Sequence, residues 1–108
     1  MNPTLLRTLS RADRDFDGIV DFYIREAGVS VAEGFVTALD AAYTALRKAP
    51  RGGSPILGER MDLAGLRTWN VRGFPYLICY LLDDEAVVVW RIVHSQRDLP
   101  KALAALGD

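Results

Sequence analysis

One histidine and a handful of arginines carry most of the chemistry available to this chain. His94 is the sole imidazole, and a neutral base near physiological pH is the default acid/base group. It ends an apolar run behind Trp90 and Ile92, where a lone histidine is commonly a satisfied structural residue. Arg91, Arg97 and Asp98 stand next to it, and Arg67 and Arg72 lie further back. Arginine grips phosphate or carboxylate through a planar fork, so such a set could hold RNA, DNA or an acidic protein surface. Each also has an ordinary use. Strand alternation places Arg91 on the face of Val89 and Val93, and an arginine among valines needs an acidic partner that the fold itself can supply. Arg97 with Asp98 fits an ion pair at a helix start. Trp69, Phe74, Tyr76 and Tyr80 could stack bases or fill the core of a small sheet. No Ser-His-Asp or Cys-His arrangement is visible as a motif, and no P-loop, GxGxxG or zinc knuckle occurs. Gly52-Gly53-Ser54 is too short for a phosphate loop.

These residues sit in 108 residues, the size of one domain spanning 1–108. Hydrophobic residues are 50% of the chain, which excludes an intrinsically disordered protein and leaves apolar surface over for a partner. Net charge is −1, so overall charge favours neither nucleic acid nor membrane. Its distribution is uneven: six bases and two acids between Arg47 and Arg72 contrast with three bases and five acids between Arg11 and Ala27. A single cysteine, Cys79, rules out an intrachain disulfide and reads as a small buried hydrophobe. No metal-ligand cluster is present, and no cofactor is expected. Neither a charged leader nor a membrane-length apolar segment is present, so a reducing cytoplasm is expected.

The elements that position the chemistry follow from periodicity. Thr4 to Leu9 reads as an edge strand or a helix lead-in. Ser10-Arg11-Ala12-Asp13 resembles a capping box, and Ala12, Phe16, Ile19, Val20, Tyr23, Ile24 and Ala27 follow as one helical stripe. Gly28 stops that helix. Ser30-Val31-Ala32-Glu33 forms a second box before the stripe Phe35, Val36, Leu39, Ala42, Tyr43, Leu46 and Ala49, which Pro50 ends. So short a joint requires the two helices to pack antiparallel. Arg51 to Gly65, with four glycines and Pro55, reads as a loop without a helix. Strands are expected at Leu66–Arg72, Tyr76–Leu82 and Ala86–Val93, paired antiparallel because their connections are short. The last two are apolar on both faces: Tyr76, Ile78, Tyr80 and Leu82 against Leu77, Cys79 and Leu81, then Val87, Val89 and Val93 against Val88, Trp90 and Ile92. The hairpin can cover one face, so a C-terminal segment, a second copy or a partner chain must cover part of the other. Leu99, Ala102, Leu103 and Leu106 predict a short helix over 98–106. The fold class is α+β: an N-terminal helical hairpin packed on a small antiparallel sheet, in the order β-α-α-β-β-β with a short C-terminal helix.

That order, with several residues, resembles the ParE branch of the RelE/ParE toxins over about residues 5–103. The matching pieces are Leu9-Ser10 with Ala12 and Asp15, Ile19-x-x-Phe22-Tyr23-Ile24, Phe35, Leu39, and Leu46 with Pro50 and Gly53. They continue with Leu66-Arg67, Val71, Phe74-Pro75-Tyr76, Ile78, Tyr80 and Arg91-x-Val93-His94-x-x-Arg97-Asp98. The resemblance implies the toxin of a type II toxin–antitoxin pair, held by a ParD-like antitoxin and directed at DNA gyrase by binding, without catalysis of its own. It implies neither membrane association nor direct sequence-specific DNA binding. Target contact is expected from Arg91, His94, Arg97 and Asp98, and antitoxin contact from Tyr76, Ile78, Tyr80 and Trp90. The alternative is a RelE-type mRNA endonuclease acting on the ribosome, in which Arg67, His94 and Arg97 would form the site. Such sites use several lysines and arginines and often a tyrosine near the C-terminus. Here Tyr76 stands where RelE-like chains tend to have arginine, no tyrosine follows Arg97, and Lys101 is the one lysine of that half.

Overall fold

Gly28, at φ +99°, turns the chain between two antiparallel helices, α1 (Ser10–Glu26) and α2 (Val29–Lys48). The backbone sits in the left-handed region there, which a side chain would oppose, and its N–H closes the end of α1 on the Tyr23 carbonyl at 2.8 Å. Neither helix begins with the expected capping box. Leu9 and Gly28 occupy the N-cap positions, and no side chain caps either end. Ser10 and Ser30 fall inside the first turns rather than ahead of them, and Asp13 accepts the Thr8 hydroxyl at 2.6 Å instead. The computed structural model describes residues 4–84 and 86–97. The helix expected over 98–106, and Asp98 with it, lies outside them.

The remaining elements are β1 (Leu5–Thr8), α3 (Ile56–Arg60), β2 (Arg67–Asn70), β3 (Tyr76–Asp83) and β4 (Ala86–His94). They form one four-stranded sheet in the order β1-β4-β3-β2. β2, β3 and β4 pair antiparallel, as their short connections demand, and β1 joins β4 in parallel from Leu5↔Ala86 to Thr8↔Val89. The sheet is therefore mixed. α3 corrects the expectation of a plain loop: Gly58 lies inside this single turn because its Cα packs against the Leu66 carbonyl, which a Cβ would meet at 2.5 Å.

A β-bulge decides which side chains share a face. Cys79 pairs with Arg91 while Tyr80 pairs with Val89, so Trp90 is an extra residue on β4. Side chains beyond it change sides relative to strict alternation. Val87, Val89 and Ile92 join Ile78, Tyr80, Phe35, Leu39 and Leu46 in the core beneath the helices, whereas Val93 and Trp90 belong with Cys79 and Leu66 on the opposite face. Arg91 therefore does not share a face with both Val89 and Val93, as uninterrupted alternation required. Trp69, Phe74, Tyr76 and Tyr80 all fill the helix-side core, and the Phe35 ring meets those of Phe74 and Tyr76 edge-on at 5.5 Å.

The face away from the helices is covered rather than bare. Leu63 and Leu66, from the α3–β2 connection, pack with Leu77, Leu81 and Trp90 around Cys79 and Val93, and Cys79, Val93 and Leu66 are each 1% exposed. Uncommitted apolar surface lies on the hairpin instead. Ile24 (44%), Val29 (58%), Val31 (37%) and Val36 (38%) remain exposed, and Val20, Ile24, Val29, Ala32 and Val36 line a shallow groove edged by Glu33. The two helical stripes were wider than the sheet could cover. Among the described residues no helix is long and apolar enough to cross a membrane.

Candidate functional site

Asp15 sits three residues after Ala12 and four before Ile19, the buried positions of α1. Helical spacing therefore aims its carboxylate at the sheet rather than at water. It takes the Arg91 side chain in a two-pronged pair, Nε to Oδ2 at 2.8 Å and a terminal nitrogen to Oδ1 at 3.1 Å. The Ile92 backbone N–H donates to the same Oδ2 at 2.9 Å. The two side chains are only 18% and 16% exposed, a setting in which a paired charge is held firmly and an orphaned one is costly. β1 is too short to pair with β4 beyond Val89; Asp15 performs that service for Ile92 and ties the end of β4 to α1.

Past this lock a groove opens between α1 and β4, with Ile19, Phe22, Ile92 and Val93 in its lining and Arg14 and Arg97 beside them. The Arg97 guanidinium lies over the Phe22 ring, 5.3 Å from its centre, and among the described residues it forms no ion pair. His94 is engaged within its own turn: Nδ1 accepts the backbone N–H groups of Gln96 and Arg97, each at 3.1 Å. Its ring meets Tyr76 edge-on at 5.3 Å.

Arg67 is elsewhere. It pairs with Tyr80, four residues along β3 from Tyr76, the partner of His94, or about 13 Å at strand spacing. One of its terminal nitrogens donates to the Arg51 carbonyl at 3.1 Å and the Gly53 carbonyl at 2.8 Å. Tyr80 completes this corner, its hydroxyl donating to the Pro50 carbonyl at 2.8 Å and accepting the Gly53 N–H at 3.0 Å. Glycine at 53 is obligatory, because a Cβ there would collide with the Tyr80 hydroxyl. Burial raises the Tyr80 phenol above its ordinary value, against the Gly53 hydrogen bond and the Arg67 charge, which lower it. Arg67, His94 and Arg97, the set that RNA cleavage would need, are therefore not gathered in one place.

The four residues expected to receive an antitoxin do not share a face either. Tyr76 (4% exposed), Ile78 (0%) and Tyr80 (0%) lie under the chain's own helices, while the half-buried Trp90 is on the far side of the sheet. Tyr76, Ile78 and Tyr80 are core, which corrects the surface position expected of them, and Trp90 keeps part of its surface. Cys79 is no nucleophile at neutral pH, since burial pushes its thiol up to about 12. Asp15, Phe22 and the hairpin groove are features of the candidate site that residue-by-residue reading passed over. An acid on the buried side of α1, facing a strand arginine that lacks a sequence-local partner, was the signal for the first.

A family model described as the ParE toxin of the type II toxin–antitoxin system, parDE, matches residues 6–99. The chain belongs to the ParE toxin family. The ParE match includes both helices of the hairpin, the Asp15–Arg91 lock and all the described residues of the β4 end. A solved structure titled "Chromosomal ParDE TA system from P. aeruginosa" has the same fold, with a TM-score of 0.74 at 20% identity over 86% of this chain and 97% of that one. No curated protein matches. In this ParE-family chain the Tyr80 hydroxyl and one nitrogen of Arg67 are held by the fold's own backbone, whereas Arg97 lies over an aromatic ring at the groove.

Proposed function

We propose that this ParE-family toxin acts by binding DNA gyrase through the end of β4, and that a ParD-like antitoxin restrains it by laying an amphipathic segment along the hairpin groove. Both partners place its action in the cytoplasm. Arg97 is the leading target contact, presented with Arg91 behind it; His94 shapes the turn that carries Arg97, and Asp98 follows it in sequence. The observation that carries this reading is the division of the arginines. Arg67 is fastened to two backbone carbonyls, so a phosphate-cleaving set is not available, while Arg97 rests on an aromatic ring at a groove mouth as a binding arginine does. Chemistry on RNA would need a base, an acid and clustered cations around one phosphate. Binding needs only complementary surface. The antitoxin half of the proposal rests on Ile24, Val29, Val31 and Val36, whose arrangement across two helices suits an amphipathic helix with anchors at helical spacing. A net charge of −1 supports contact with a protein rather than direct sequence-specific readout of DNA.

The test is the purified chain in two assays, gyrase supercoiling with detection of cleaved DNA, and cutting of ribosome-bound mRNA. Accumulated cleaved DNA with intact mRNA is the expected result. Cut mRNA with unaffected gyrase would assign the chain to the endonuclease branch instead. For the antitoxin surface, Val36→Asp is expected to abolish co-purification with the cognate antitoxin while gyrase inhibition persists.

A further inference from the structure

We infer that His94 is a positioning residue: its neutral ring, with the proton on Nε2, caps the turn after β4 and so holds Arg97 against Phe22. The inference deepens the proposed target site and rests on that reading only for its biological consequence. Its physical basis is independent of any target.

Two backbone N–H groups, those of Gln96 and Arg97, converge on Nδ1 at 3.1 Å each. An amide N–H can only donate, so Nδ1 must accept and carries no proton. The neutral ring's proton is therefore on Nε2. This is the work that Asp or Asn side chains commonly do at turns, satisfying N–H groups two and three residues ahead. The turn is anchored from behind by Ser95, whose N–H donates to the Pro75 carbonyl at 2.9 Å, and the ring is seated edge-on against Tyr76. With its backbone fixed in this way, Arg97 reaches back over Phe22 on α1. Strand, ring, turn and guanidinium form one chain of constraints.

An acid-sensitive geometry follows. Protonating His94 adds a hydrogen to Nδ1, which then faces two donors and loses both bonds. It also places a cation beside Arg97. Among the described residues the other groups on this side do not offset that charge: Tyr76 on β3 presents a neutral ring, Arg14 on α1 is itself cationic, and Asp15 is already engaged with Arg91 and the Ile92 N–H. The turn should open and release Arg97 from Phe22, while β4 stays tied to α1 through Asp15.

Because the chain has one histidine, a long-range proton–nitrogen spectrum of the full-length protein at pH 8 reads the tautomer without ambiguity. A bare Nδ1 with a protonated Nε2 is expected; a protonated Nδ1 would overturn the inference. On acidification the Gln96 and Arg97 amide signals should shift with the same midpoint as the ring, and the Phe22 ring-current shift on the Arg97 side chain should vanish. Amides that ignore the ring's titration would overturn it. His94→Ala should lose the ring-current shift and weaken growth arrest about tenfold, the scale of two hydrogen bonds. His94→Asn, which keeps a side-chain acceptor, should recover most of that loss; equal defects in both variants, with thermal unfolding matching wild type, would overturn the positioning role. The spectra need no target, so a failed cap sinks this inference alone, and an intact cap in a wild-type chain that leaves gyrase untouched sinks the proposed function alone.

Discussion

The two ends of β3 use the same residue types for opposite purposes. At one end Tyr80, Arg67 and Gly53 satisfy one another and the neighbouring carbonyls. The Tyr80 hydroxyl and one terminal nitrogen of Arg67 are spent there on backbone groups. At the other end Tyr76 packs under His94, and Arg97 projects beside the α1–β4 groove with the Phe22 ring beneath it. An arginine's type therefore says little about its role. What decides is whether backbone acceptors lie within reach of its fork, and the Arg51–Gly53 segment supplies them to Arg67 alone.

The sharpest way to break this contrast is at the closed end. Gly53→Ala should cost about 3 kcal/mol in urea unfolding, because overpacking against Tyr80 adds to two disturbed hydrogen bonds; an unchanged midpoint would mean that the corner is loose. Asp15→Ala comes next, at about 2 kcal/mol, since it strips a mostly buried arginine of its two-pronged partner and leaves the Ile92 N–H unmet. Hydrogen exchange at Ile92 should accelerate in that variant.

Cys79 gives a pH dependence. Its thiol rises from 9.0 to about 12 in the fold, so between those values the unfolded chain binds fewer protons than the folded one, and stability falls as pH rises. The loss should reach about 1.4 kcal/mol by pH 10, and Cys79→Ala should flatten that part of the profile. Arg67→Ala should cost about 1 kcal/mol and leave growth arrest per folded molecule unchanged. Arg97→Ala should do the reverse: a stability change under about 0.5 kcal/mol, reduced toxicity and intact antitoxin binding. Undiminished growth arrest by the Arg97 variant would erase the distinction between the two ends.

Much of the architecture could be read from local pattern. The hairpin emerged from two stripes of 3.6-residue period separated by a glycine, and the three antiparallel strands from short apolar runs joined by connections too short for a crossover. That Arg91 required an acidic partner was also legible, because an arginine on a strand among valines cannot be left alone. Which acid, and from which element, was not: Asp15 lies 76 residues away in sequence. The burial of Tyr76, Ile78 and Tyr80 was not legible for a related reason. Alternation identified Tyr76, Ile78 and Tyr80 as one face of β3, but nothing in the period of a strand says which face the helices will choose.

The chain's own pattern of apolar, polar and turn-forming residues determined the helical hairpin, the antiparallel strands and their order, since helical and strand periods and connection length are local properties. Tertiary structure alone decided the parallel seat of β1, the bulge at Trp90 that moves Ile92 beneath the helices, the covering of the second sheet face by Leu63 and Leu66, and the division of arginines into fastened and presented. Each of those depends on which distant groups meet, and the packing of the whole chain settles that through contacts no local period records.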